Sequence, residues 1–165
     1  MADLQEAENW VYNVLCSEKS LDKQIELYNE IADTYDKMCV DTLYYFPEAL
    51  SRELETFNLR RDSKILDVGA GTGRLGQLLH LLQYTNIDAL DGSEKMLQHS
   101  RNLPNVYKNF TQALVVADNE LPIPENTYDV ALMCGSGGPA HIDVTAYKQL
   151  IRVVKPGGQV YINQI

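Results

Sequence analysis

The chain has 165 residues, 45% of them hydrophobic and 22% charged, with a net charge of −9. That length suits one domain able to hide roughly 70% of its unfolded surface, and the composition is that of a soluble globular protein. No apolar run approaches the ~20 residues of a membrane span, the opening MADLQEAENW lacks the blocks of a secretory signal, and three scattered cysteines without a CxxC pair point to reduced thiols in the cytoplasm or nucleus rather than a disulfide frame.

The charge is unevenly spread: residues 1–62 hold six Lys/Arg against fourteen Asp/Glu, and residues 63–165 hold eight against nine. Such a surface repels phosphate backbones, so nucleic acid is not an expected partner. Solvated outer faces of helices account for the acidity. Within this segment EKSLDKQIELYNEIADTYDKM sets Ile25, Tyr28, Ile31 or Ala32, Tyr35 and Met38 three and four residues apart, predicting an amphipathic helix over 18–38. Leu43, Phe46, Leu50, Leu54 and Phe57 form a second stripe, with Pro47 suited to a first helical turn.

After residue 62 the pattern changes. Short apolar runs at Ile65–Val68, Ile87–Leu90, Ala113–Ala117, Val130–Cys134 and Val160–Ile162 predict strands. Helical patterns at Leu75–Leu82, Glu94–Arg101 and Val144–Val154 separate most of them. This alternation implies parallel pairing with right-handed crossovers. The expected fold is α/β: a doubly wound, mostly parallel sheet over 63–165, preceded by a helical segment over 1–62 on the lid or substrate side, in one domain overall.

In such a sheet ligands bind beyond the carboxyl ends of the strands, where the order reverses. There lies KILDVGAGTGRLG, residues 64–76, with four glycines in eight residues. Glycine permits positive φ and close approach of a ligand to the main chain. Read as G-x-G-x-x-G, Gly71, Gly73 and Gly76 match a dinucleotide fingerprint, with Asp91 at the spacing that pattern asks. Read as D-x-G-x-G-x-G, Asp67, Gly69, Gly71 and Gly73 match the first motif of S-adenosylmethionine-dependent methyltransferases. Asp67 separates the two. A carboxylate inside a strand buried on both faces is costly unless paired. A pyrophosphate is already negative, whereas a sulfonium cofactor with an amino-acid tail brings cationic groups.

The later segments point the same way. IDALDGSEKML ends a second strand at Asp91, whose carboxylate can accept both ribose hydroxyls; Ser93 can cap the next helix, and Met96 can cover an adenine ring. LVVADNELP places Asp118 at the tip of a third strand, within reach of an adenine amino group. TYDVALMCGSG is a fourth strand ending in small residues, and LIRVVKPGGQVYI a helix, a Pro-Gly-Gly turn and a fifth strand. In this order and at these spacings, the chain from about residue 28 onward resembles class I S-adenosylmethionine-dependent methyltransferases. Within that group YNEIADTYDKM and CGSGGPAHI are similar to the Williams–Beuren region methyltransferase-like family.

The resemblance implies a Rossmann-like methyltransferase fold and cofactor roles by position. Asp67 with Gly69, Ala70, Gly71 and Gly73 would hold the amino-acid end of the cofactor. Asp91 would hold the ribose, with Gly92 and Met96 beside the adenine, and Ala117, Asp118 and Asn119 would read the adenine edge. Cys134 and Gly135 would line the floor under the methyl donor. Tyr28 and Tyr35 are candidate lid residues, with core packing as their alternative.

Methyl transfer from a sulfonium is an in-line displacement, so alignment supplies much of the rate and a base helps only when the acceptor must lose a proton. His141 is the histidine near the expected site and the candidate base; a structural role in its loop is the alternative. His80 and His99 fall on helices, Cys134 reads as a wall residue, and no cluster has metal-ligand spacing. The acidic- or Asn-Pro-Pro-Tyr motif that amino-methylating enzymes of nucleobases and glutamine carry after the fourth strand is replaced by CGSGGP, which counts against those substrates.

The expected activity is S-adenosylmethionine-dependent methyl transfer to a small-molecule acceptor, yielding S-adenosylhomocysteine without a metal, or the cofactor-binding portion of such an enzyme. A non-catalytic module that binds either form of the cofactor and an NAD-dependent oxidoreductase are the alternatives. The chain stops at Ile165, where the family sheet continues with two more strands. The expectation is therefore a shortened form of a longer protein, or self-association through the apolar edge QVYINQI.

Overall fold

The computed structural model describes residues 9, 12–16, 20–57, 59–138 and 141–163. Strands β1 (Ile65–Val68), β2 (Ile87–Asp91), β3 (Asn109–Gln112), β4 (Tyr128–Cys134) and β5 (Val154–Asn163) form one sheet in the order β3-β2-β1-β4-β5. Every neighbouring pair is parallel, as the alternation of strand and helix requires. The expected α/β architecture is therefore present.

Side chains alternate across the central strand. Ile65 joins Leu54, Leu75, Leu79, Ile87 and Leu132 on one face, while Leu66 and Val68 join Leu90, Met133, Leu150 and Val153 on the other. Helices cover both faces, so β1 reads as a nearly unbroken apolar run. The helices are α1 (Leu21–Ile31), α2 (Tyr35–Asp41), α3 (Phe46–Leu54), α4 (Arg74–Leu81), α5 (Glu94–Arg101) and α6 (Tyr147–Val153). Helix α3 starts with Pro47 in its first turn and packs its buried Leu50 and Leu54 beside α4.

Three boundaries differ from the sequence expectation. The helix expected over 18–38 is two helices, because the chain turns at 32–34 and restarts with Thr34 at the N-cap of α2. Asp33 and Thr34 are weak helix formers, and two turns of stripe on either side conceal the break. Leu43 leaves its stripe altogether, sitting mostly exposed at φ +57. The Pro-Gly-Gly turn lies inside β5: Tyr128 pairs with Val154 and Val130 with Gln159, so residues 155–158 bulge out opposite Asp129.

The third strand is the largest correction. It is not Ala113–Ala117 but the polar Asn109–Gln112, which pairs with β2 from Asp88 to Asp91. An edge strand that is half exposed needs no apolar run, and hydrophobicity alone cannot find it. The apolar run that follows is loop, and its Val115 drops into the second core cluster.

One packing detail positions the site. A Cβ on Gly76 in α4 would lie 2.2 Å from the hydroxyl of Tyr107. Tyr107 fills the gap that this glycine leaves, and its hydroxyl donates to Asp67 Oδ2 at 2.7 Å. Alanine at residue 76 would gain roughly 1 kcal/mol in helix propensity but would force the tyrosine aside, which costs about 1–3 kcal/mol as overpacking and exposes the carboxylate to an unpaired state. We expect Gly76→Ala to be destabilising on balance, read as a lower urea midpoint at unchanged slope.

Candidate functional site

The strand order reverses between β1 and β4, and the chain segments leaving β1, β2 and β4 converge there. After β1 the loop uses positive φ at Gly69 (+69°), Gly71 (+55°) and Gly73 (+94°), the last at the N-cap of α4. At Gly69 a side chain would also collide with Ser136, 2.5 Å from the Cβ position, whereas at Gly71 nothing lies within 4 Å. The main chain at Gly71 is thus left bare toward open space.

Asp91 ties this loop to the end of β2. Its Oδ2 accepts the Gly71 N–H and its Oδ1 the Ser93 N–H, both at 2.8 Å. Burial raises its pKa above the ordinary carboxylate range, opposed by these main-chain N–H groups and that of Gly92. A carboxylate has about four lone-pair sites, so these N–H groups leave room for a further donor. Ser93 caps α5 by accepting the Met96 N–H at 3.1 Å, as its sequence position suggested.

Two cavities meet at the glycine loop. The larger, about 750 Å³, is walled by Leu90, Met96 and Ala113–Val115 on its apolar side and bordered by Asp91, Gly92, Gly135, Tyr28 and His141. The smaller, about 390 Å³, lies toward α2 and α3 and is lined by Asp67, Ala70, Thr72, Arg74, Tyr44 and Cys39 among others. Tyr35, Gly69, Gly71 and Cys134 belong to both walls.

Most of the residues singled out from sequence are therefore brought together: Tyr28, Tyr35, Gly69, Gly71, Asp91, Gly92, Met96, Cys134, Gly135 and His141 around the larger cavity, Asp67 and Ala70 at the smaller. Gly73 sits behind the loop, where a Cβ would meet Leu103 at 2.5 Å. Ala117, Asp118 and Asn119 line neither cavity. They occupy a tight turn closed by the bridge Val116 to Asn119, with Asp118 and Asn119 exposed. Ala113–Val115, just after β3, line the larger cavity.

His141 Nε2 lies 2.7 Å from the Tyr28 hydroxyl and 3.2 Å from the Gln24 amide nitrogen, so α1 is linked to the loop after β4. Tyr28 also meets Tyr35 edge to face, with ring centroids 6.1 Å apart. Burial pushes both tyrosines well above their ordinary pKa, keeping their hydroxyls neutral. Burial likewise pushes the Cys134 thiol up to about 12, which removes it as a nucleophile. His80 lies on α4 and His99 faces Asp33 at 3.0 Å, away from the cavities. Among the described residues no His/Cys/Asp/Glu group is arranged to hold a metal ion, and no helix is long and apolar enough to cross a membrane.

Sequence reasoning missed the partners of the loops. Tyr107 is 40 residues from Asp67. Asp36 accepts from the Thr72 hydroxyl at 2.6 Å, and Glu48 Oε1 accepts from Arg74 Nε and Nη2 at 2.9 and 2.6 Å. The one sequence signal for any of these was Gly76, a glycine inside a helix, which makes room for Tyr107 rather than completing a dinucleotide fingerprint.

Comparison with known proteins decides between the two glycine patterns. The methyltransferase domain family matches residues 65–158, more than half of the chain. The chain belongs to the methyltransferase domain family. It is 28% identical over 144 residues to human methyltransferase-like protein 27, covering 85% of this chain and 57% of that protein. It is 28% identical over 142 residues to a demethylmenaquinone methyltransferase of Chlamydia trachomatis, covering 84% and 60%. A crystal structure of a candidate S-adenosyl-L-methionine-dependent methyltransferase from Methanococcus maripaludis superposes with a TM-score of 0.60 at 25% identity, over 90% of this chain and 65% of that one. The chain thus spans about three fifths of the length of these curated relatives. The oxidoreductase alternative falls with the family match.

Within the family framework Asp67 carries a titration signature. It is 1% exposed, and burial raises its pKa from 3.8 to about 7, with the Tyr107 bond opposing and Asp91 adding to the rise. The folded chain therefore holds this proton to higher pH than the unfolded chain does. The associated stability is complete below about pH 4 and is lost as pH rises through about 7. Asp67→Asn cannot ionise. Between pH 4 and pH 8 the stability difference should shift in favour of the variant by the order of a few kcal/mol, measured by urea unfolding across that range. Parallel curves would show that Asp67 titrates near its ordinary value.

Proposed function

We propose that this chain binds S-adenosylmethionine at the two joined cavities and transfers its methyl group to a small-molecule acceptor. The observation that carries the reading is Asp91. Its carboxylate is held between the glycine loop and the cap of α5, at the mouth of an apolar cavity that suits a nucleoside. The fit is favourable in other respects. The bare main chain at Gly71 admits close approach, and the wall shared by the two cavities, with Tyr35 and Cys134, carries no charge. The organisation offered is a helical segment over 1–62 above a cofactor-binding core over 63–165.

When bound, the cofactor supplies an electrophilic methyl group on a sulfonium sulfur. The chain's own residues then have separable tasks. Asp91 would accept from the ribose at the lone-pair capacity that its main-chain bonds leave. Met96 and Ala113–Val115 enclose the base. Gly69 and Gly71 would let the ligand approach the main chain closely, and alignment is worth many orders of magnitude in a displacement reaction. His141 takes a proton from the acceptor at Nε2, the atom that Tyr28 holds in the ligand-free chain. The aromatic wall of Tyr28, Tyr35 and His141, with the likeness to a demethylmenaquinone methyltransferase, favours a ring-bearing acceptor over a nucleobase amino group.

Calorimetric titration with S-adenosylhomocysteine, and with NADH as a control, tests this directly. The expected result is binding of the first alone, weakened by about 1–3 kcal/mol in Asp91→Ala. Equal affinity in parent and variant, or binding of NADH in place of the homocysteine compound, would sink the assignment. Turnover is then read as methyl incorporation from labelled cofactor into a panel of quinols and phenols.

A further inference from the structure

The one fully buried residue of α1 is not apolar but a glutamine. Gln24 is 2% exposed, while Leu21, Ile25, Leu27 and Tyr28 around it keep part of their surface. A buried amide is tolerated when its hydrogen bonds are met. Here only one end is. The nitrogen donates to the Val14 carbonyl at 2.9 Å and lies 3.2 Å from Nε2 of His141. The oxygen, Oε1, is buried with no hydrogen-bond partner among the described residues. A methionine would fill the same space without that unmet acceptor. What residue 24 supplies beyond packing is therefore the amide nitrogen.

Val14 decides how the amide is turned. Its carbonyl accepts and cannot donate, so it faces the NH2 end of the glutamine and not the oxygen. The second hydrogen of that NH2 is then available to His141. A neutral imidazole carries one proton, and its two forms differ in which nitrogen is bare. The Tyr28 hydroxyl by itself does not choose between them. It lies 2.7 Å from the same Nε2 and can donate to a bare nitrogen or accept from a protonated one. Gln24 does choose, because a proton on Nε2 would face a group that can only donate. The amide also donates toward the Tyr28 oxygen, which turns that hydroxyl's own proton to Nε2. The ring is held in place by its tilted contact with Tyr28 and by the turn in which the His141 N–H donates to the Gly138 carbonyl at 3.0 Å.

We infer that Gln24 is a positioning residue that keeps the proton of His141 on Nδ1 and leaves Nε2 bare. This rests on the reading of His141 as the base given above and deepens it by naming the class of acceptor. His141 borders the larger cavity. A bare Nε2 there takes up a proton, so the site suits acceptors that shed one on methylation, such as hydroxyls and amines with an N–H, over thioethers and tertiary amines, which have none to give. The Gln24 contact is the longer of the two on that nitrogen, so an entering hydroxyl can displace it.

Nitrogen-15 NMR of the imidazole reads the tautomer directly, because bare and protonated ring nitrogens resonate far apart. It is run on the ligand-free chain carrying His80→Gln and His99→Gln, which leaves His141 as the one histidine, at a pH above the ring's titration. The expected result is a proton on Nδ1 and a bare Nε2. Gln24→Met should lose this preference and show both forms, since only the ambivalent Tyr28 hydroxyl remains. Gln24→Glu, which puts an acceptor in the same place, should draw the proton to Nε2. A proton on Nε2 in the chain with Gln24 intact would overturn the assignment, as would a Gln24→Met spectrum identical to it. The first of these needs no substitution at residue 24 and so decides even if neither variant folds. Titration with S-adenosylhomocysteine is read separately: the expected tautomer in a chain that does not bind the compound would uphold the role of Gln24 while the cofactor reading fails.

Discussion

The carboxylate of Asp91 holds three parts of this molecule in register. It ends β2, takes the Gly71 N–H from the loop after β1, and takes the Ser93 N–H from the start of α5. Ser93 in turn caps α5 and donates its hydroxyl to Asn29 of α1 at 2.8 Å. Glycine at residue 71 can take positive φ without penalty, but nothing in glycine itself chooses that conformation. The choice is made by the bond to Asp91. The shape of the larger cavity therefore depends on one side chain supplied from the neighbouring strand, and the glycines permit a geometry that the aspartate selects.

A second carboxylate lies close enough to feel the first. Asp67 is buried under the loop with Tyr107 as its hydrogen-bond donor, and the charge on Asp91 adds to the rise in its pKa. Two like charges in a poorly solvated site cost several kcal/mol unless a cation or a proton intervenes. Burial and the charge on Asp91 favour a proton on Asp67, which relieves that cost. A cationic ligand entering above the loop would replace that proton. The arrangement is unfavourable for an anionic ligand and favourable for a sulfonium or an ammonium group, an electrostatic preference that does not depend on any family likeness.

The sheet and most of the larger cavity were legible because local pattern and final environment agree there. Ile65–Val68 and Ile87–Asp91 are buried on both faces, so their apolar runs announce them, and the aspartates at 67 and 91 stand out against that background. The third strand was misplaced because an exposed edge carries no such signal, and Ala117, Asp118 and Asn119 fall in a turn beyond it instead of at its tip. The partners of the loops were invisible for another reason. Tyr107 with Asp67, Asp36 with Thr72 and Glu48 with Arg74 are pairs that only the tertiary fold brings together, 26 to 40 residues apart in sequence.

Those pairs change the meaning of the acidic N-terminal segment. Read from sequence, fourteen acids in the first 62 residues were solvated helix faces. Several are exposed, but Asp36 and Glu48 point inward onto Thr72 and Arg74, both in the segment that leaves β1. Tyr28 adds a link to His141 after β4, and Asn29 one to Ser93 after β2. Helix α3 is anchored in the main core by Leu50 and Leu54, whereas α1 and α2 keep a small apolar cluster of their own and reach the loops that border the cavities through polar contacts. Each contact contributes only about 1 kcal/mol on net, so α1 and α2 are held over the loops by several weak bonds acting together. A ligand that fixes the loops therefore also fixes the helices above them, and by linkage anything that orders the helices strengthens the ligand's hold.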